Sequence, residues 1–148
     1  MESSGKTLFD EAVAKQVIQF LERQAKPACI IAHNGTEYDF LVLSKKLAKV
    51  GVTIPEIRCG DSLRAFKSVQ PARFSKRGAP YGLANLYQRA FGRSQEGAHN
   101  AEDDTIALMQ VVIKHVKEGT AIQMWFDKNA VKTLPKYRFD TCARLNLF

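Results

Sequence analysis

No stretch of this chain approaches the roughly 20 consecutive apolar residues that a membrane-spanning helix needs. The opening Met1-Glu2-Ser3-Ser4-Gly5-Lys6 has no apolar core and does not read as a secretory signal. Cysteine is scarce. The three present, Cys29, Cys59 and Cys142, are far apart, odd in number and without C-x-x-C spacing. That argues against a disulfide framework and against a structural zinc site. Cys29 and Cys59 lie in strand-like runs and are expected to be buried thiols. There is no internal repeat and no low-complexity tract. The expectation is an intracellular protein, cytoplasmic or nuclear, with no membrane partner, or a piece of a protein whose targeting signals lie elsewhere.

What is present fits one globular unit. The 148 residues are 45% hydrophobic and 25% charged, within the ordinary range for a folded domain. The formal charge is +7 and unevenly spread. Between positions 61 and 98, Arg64, Lys67, Arg73, Lys76, Arg77, Arg89 and Arg93 face only Asp61 and Glu96, whereas the first sixty residues are nearly balanced. A basic middle segment in a chain with clustered carboxylates suits a polyanionic partner, nucleic acid first.

The chain is organised around Ala32-His33-Asn34-Gly35-Thr36-Glu37-Tyr38-Asp39-Phe40. The apolar run before it, about 28–32, predicts a buried strand. The run after it, about 37–50, has helical apolar spacing and stops at Gly51. Gly35 permits the turn between them, and Thr36 is the expected N-cap. Asp39 then stands in the first turn of a helix just past a strand end, where open α/β sheets bind ligands. It reads either as a metal ligand or as an acid favoured by the helix dipole.

Upstream, Thr7 is the expected cap of a helix with a stripe of Phe9, Val13, Val17, Phe20 and Leu21, ended by Pro27. Downstream, Glu56-Ile57-Arg58-Cys59 predicts a second strand, and Gly60-Asp61-Ser62 turns into a short helix carrying Leu63 and Phe66. Asp61 reads as a structural helix acid in preference to a further ligand. Residues 68–80 form a long irregular stretch in which Arg73, Lys76 and Arg77 suit phosphate contacts. Tyr81 precedes another amphipathic helix ending at Gly92; it suits stacking on a base, or a place in the core. The tail from Thr120 has a short amphipathic segment around Ile122, Trp125 and Phe126.

The second constellation is His99-Asn100-Ala101-Glu102-Asp103-Asp104, leading into a helix to about Lys117. Asp104 shares a face with Leu108 and Val111. A carboxylate on an apolar stripe is costly unless paired or ligating, which marks Asp104 as the ligand candidate. Asp103 aligns with Ala107 and Gln110, a wetter face. His99, on the loop before the helix, is a candidate general base. His33 and His115 read as structural.

Together, Ala32-His33-Asn34-Gly35-x-x-Tyr38-Asp39-Phe40 and His99-x-Ala101-Glu102-x-Asp104 resemble the DEDDh 3′-to-5′ exonucleases. Within them the likeness is greatest to the three-prime repair exonucleases and the related exonuclease-like C-terminal domain of the promyelocytic leukaemia protein. It extends from about Phe9 to His115 and takes in Asp61-Ser62-Leu63 and Tyr81-Gly82-Leu83-Ala84-Asn85-Leu86-Tyr87. The resemblance implies an α/β, ribonuclease-H-like fold and removal of nucleotides from DNA 3′ ends, single-stranded preferred. It implies two Mg²⁺ or Mn²⁺ ions about 4 Å apart, with Asp39 and Asp104 as metal ligands and His99 activating water. Asn34, Tyr38 and Tyr81 would line the bound strand.

The family's Asp-x-Glu on a first strand is absent, and so are its three strands ahead of the Phe9 helix. Residues 1–118 are therefore expected to be the C-terminal part of the family fold and 119–148 a C-terminal helix and tail. Two carboxylates offset only half the charge of two divalent ions. A sheet without its central strands has bare edges, so a homodimer or a segment supplied in trans is a further expectation.

Overall fold

The computed structural model describes residues 8–70 and 79–135. Thr7, Arg73, Lys76, Arg77 and Cys142 fall outside that range. The element order is α1 (Glu11–Glu22), β1 (Cys29–Ala32), α2 (Asp39–Lys49), β2 (Arg58–Asp61), α3 (Ser62–Val69), α4 (Leu83–Phe91), α5 (Ala101–Glu118) and α6 (Ala121–Asn129). Helices and strands thus form a mixed α/β unit.

β1 and β2 pair in parallel, Cys29 with Arg58 through Ala32 with Asp61. Parallel neighbours cannot be joined by a tight hairpin, and α2 supplies the crossover. Side chains alternate across this small sheet. Ile30, Ala32 and Cys59 pack with Ala14, Ile18, Phe40, Leu47 and Leu134 beneath α1 and α2. Ile31 packs on the opposite face, against a core of Ala65, Phe66, Leu86, Tyr87, Ala107, Val111, Ile122 and Phe126 drawn from α3 to α6. The result is three layers, with the two strands in the middle.

Gly60 shows how tight this sandwich is. A Cβ there would lie 2.5 Å from a ring carbon of Phe126, so α6 sits on β2 only because position 60 has no side chain. The outer edge of β2 is closed by an antiparallel bridge. Cys59 donates its N–H to the Val131 carbonyl at 2.8 Å, and Val131 returns the bond at 3.0 Å. The outer edge of β1 has no strand partner among the described residues.

Several local expectations are corrected. Asp10, not Thr7, caps α1, its carboxylate accepting the Val13 N–H at 2.9 Å. That helix ends at Glu22, short of Pro27, and its buried face is Ala14, Ile18 and Leu21, with Phe20 exposed. Thr36 does not cap α2; the helix starts at Asp39 with Tyr38 at the cap position. The Thr36 N–H is already committed to Asp61. Cys59 is buried, but Cys29, at the first position of β1, is exposed. Ala107 belongs to the core, so the face it shares with Asp103 and exposed Gln110 is wet only in part.

Candidate active site

The turn carrying Asp39 is held from a distance. Asp61, 4% exposed, ends β2 and caps α3. Its Oδ1 accepts the N–H groups of Leu63 at 3.0 Å and Arg64 at 3.4 Å. The same oxygen accepts the Asn34 N–H at 3.1 Å, and Oδ2 accepts the Thr36 N–H at 3.1 Å. Four backbone donors, two from the turn after β1 and two from the start of α3, thus converge on one carboxylate, which makes Asp61 structural, as its helix-start position predicts. Arg64 adds ion pairs to Glu37 at 3.1 Å and to Asp61 at 3.8 Å. Within the turn, Asn34 takes a positive φ of 61°. Gly35 is packed so closely that a Cβ would fall 2.7 Å from that of Ala32 and 2.9 Å from the Phe40 ring. The chain therefore leaves β1, folds back at once and presents Asp39 in the exposed first turn of α2.

Asp104 arrives from the other side, in the first turn of α5. It and Asp39 line one cleft of about 490 Å³ with Ile31, Ala32, His33 and Leu108. Asp103 instead faces an opening between α4 and α5 with Arg93 and Gln95. The two adjacent aspartates thus serve different spaces. Only Oδ1 of Asp104 is engaged, by Gln95 Nε2 at 2.6 Å and, more loosely, by the His99 N–H at 3.4 Å. Its Oδ2 has no hydrogen bond among the described residues.

His33 also lines the cleft, with both ring nitrogens occupied. Nε2 lies 2.8 Å from the Tyr81 carbonyl and Nδ1 2.9 Å from Ser62 Oγ. A carbonyl can only accept, so Nε2 carries the proton and Ser62 donates to Nδ1. Burial holds this imidazole below its ordinary value, partly offset by the Tyr81 carbonyl and the carboxylates of Asp61 and Asp39. His33 is a neutral strut between β1, α3 and the α4 entrance. His115 is likewise structural, donating from Nδ1 to the Val111 carbonyl and accepting from Gln70.

The remaining site residues differ in availability. His99 sits at the loop tip with φ 76°. It is exposed, and its ring is not among the groups lining the cleft; the loop reaches Asp104 through backbone. Tyr38 is 52% exposed beside Asp39. Tyr81 is used internally, its hydroxyl donating to the Gln70 carbonyl and its ring packing on the core. Gln95 was not foreseen. A glutamine in a loop carries no sequence signal for a bond that only the fold creates.

Among the described residues no group of three or more His, Cys, Asp or Glu side chains is placed to hold a metal ion. No family model matches the sequence. Curated proteins do. Over 135 residues the chain is 33% identical to human three-prime repair exonuclease 1, covering 88% of this chain and 42% of that protein. Human three-prime repair exonuclease 2 is 35% identical over 127 residues, covering 82% and 52%. The mouse exonuclease 2 is 34% identical over 131 residues, covering 85% and 54%. These 148 residues belong to the three-prime repair exonuclease family. The chain spans about half the length of the curated relatives it matches.

Proposed function

We propose that the chain is part of a metal-dependent 3′-to-5′ exonuclease of ribonuclease-H-like fold, acting on DNA 3′ ends. One observation carries the reading. Asp39 and Asp104, on helices separated by more than fifty residues, open into the same cleft at the carboxyl end of β1. Their oxygens are hard donors. A Mg²⁺ or Mn²⁺ bound by two carboxylates, its waters and a substrate phosphate is an ordinary arrangement. The unengaged Oδ2 of Asp104 is the atom that fits it. A second ion would need carboxylates beyond these two.

When bound, such an ion neutralises charge on the scissile phosphate and eases deprotonation of water. The chain's own contributions are these. Asp39 and Asp104 hold the ion at the cleft. His99, on the loop before α5, is the base for the proton of the attacking water. Asn34 and Tyr38 border the last nucleotide, and Tyr81 braces the wall behind it. Arg73, Lys76 and Arg77 contact phosphates of a single strand. A homodimer, or a strand supplied by another segment, completes the sheet.

A second reading is an inactive nucleic-acid or protein-binding module of exonuclease descent. The two-carboxylate donor set favours it. Degradation of a 5′-labelled single-stranded DNA, with Mg²⁺ or Mn²⁺ and an EDTA control, separates the two. A ladder from the 3′ end that is lost in His99→Ala and Asp104→Asn, but retained in Asp103→Asn, supports the first. Intact DNA that still binds the chain supports the second.

A further inference from the structure

We propose that Gln95 is the positioning residue of this cleft. Its side-chain amide fixes one oxygen of Asp104, so that the other keeps one direction at the cleft Asp104 lines, and the same bond ties the His99-bearing loop to α5. The inference rests on reading Asp104 as a cation ligand. Three observations carry it.

The first is the bond itself. Gln95 Nε2 lies 2.6 Å from Asp104 Oδ1, a direct amide-to-carboxylate hydrogen bond. A carboxylate held at one oxygen cannot rotate freely about its last torsion, so the free oxygen keeps one direction.

The second is what Gln95 leaves undone. Its Oε1 is buried and has no hydrogen-bond partner among the described residues. The amide oxygen therefore gains nothing at this position, and the only hydrogen bond of the side chain among the described residues is the one from Nε2 to Asp104. The asymmetry points to the Nε2 end as the reason for an amide at this position.

The third is the loop. Between Gln95 and Asn100 the chain takes positive φ at Gly97 (64°) and at His99 (76°). A Cβ at Gly97 would collide with the Asp103 carboxylate, so the loop is folded tightly onto the helix start. Asn100 caps α5 by accepting the Glu102 N–H at 3.0 Å. The His99 N–H reaches the same Asp104 oxygen that Gln95 holds. Gln95 thus fixes at once the ligand oxygen and the segment that presents the histidine. Groups that orient a metal-binding carboxylate typically change metal affinity about 10- to 100-fold when removed.

The test uses Mn²⁺ alone as probe and the 148-residue chain in wild-type, Gln95→Met and Gln95→Leu forms. Paramagnetic broadening of backbone amide resonances reads local affinity, and thermal melts read folding. In the wild type, broadening is expected to centre on Asp39, Asp104 and Thr105. Gln95→Met should require about tenfold more Mn²⁺ for the same broadening, with a melting temperature little changed, since the orphaned Oε1 and the Nε2 bond are lost together. Gln95→Leu serves the same comparison should the methionine variant fail to fold. Unchanged Mn²⁺ affinity in a folded variant overturns the positioning role. A lowered melting temperature with affinity falling in step also overturns it, since that is the signature of a merely structural residue. A wild-type chain without local broadening overturns the cation reading itself, and the inference falls with it.

Discussion

Asp61→Ala removes one side chain and strands four backbone donors. The Leu63 and Arg64 N–H groups lose the cap of α3, worth about 1 kcal/mol. The Asn34 and Thr36 N–H groups lose their only described acceptor in a half-buried turn, at the lower end of the roughly 1–3 kcal/mol cost of each orphaned group. The sum is about 3 kcal/mol, a large share of the 5–15 kcal/mol typical of a domain. With a urea slope near 2 kcal/mol/M, the unfolding midpoint should fall by about 1.5 M, read by far-ultraviolet circular dichroism. Asp61→Asn keeps the Oδ1 contacts but turns an amide N–H₂ toward the Thr36 N–H, so about half of that loss is expected. The reasoning is refuted if Asp61→Ala shifts the midpoint by less than about 0.5 M. That result would return Asp61 to the list of ligand candidates.

Gly60→Ala should destabilise the chain by about 1–3 kcal/mol through the clash with Phe126, and Phe126→Leu in the same chain should recover part of the loss in a thermal melt. His33 makes stability depend on pH. Burial lowers its folded value below the 6.5 of a free imidazole, so the unfolded chain takes up the proton first. The stability it contributes is fully present above pH 6.5 and is lost as pH falls through the folded value; urea midpoints in acid should drop more steeply for wild type than for His33→Gln. In a Cys142→Ser background, burial pushes the Cys59 thiol up to about 12, so a thiol reagent at pH 8 should reach Cys59 only on unfolding. Exposed Cys29, its thiol also raised by partial burial, should react in the native state, more slowly than a free thiol.

What was legible in the sequence was local or periodic. The strand-to-helix passage at Ala32 to Asp39 announced itself through an apolar run, a glycine and a helical stripe. The placement of Asp104 followed from its spacing to Leu108 and Val111. The two faces of α5 were less legible, because Ala107 is small enough to enter the core beside exposed Gln110. The cap of α2 was misplaced because Thr36 satisfies a long-range demand, donating to a carboxylate 25 positions away. Cys29 sits in an apolar run, but it is the first residue of β1 and exposed, and an apolar run does not show which of its ends is covered. The roles of Asp61, Gln95 and Ser62 arise from side chains meeting across loops, and no periodicity encodes such meetings.

The bridge between Cys59 and Val131 gives the sheet a direction. With β2 closed by that bridge, the only strand edge open among the described residues is that of β1, beside the cleft. Among the described residues, a strand can therefore be added at β1 and not at the bridged stretch of β2. Two copies joined edge to edge would each use up that open side, a self-limiting pairing and not the start of a fibre. A strand added at that edge would lie beside Ile31 and Ala32, which line the same cleft as Asp39 and Asp104.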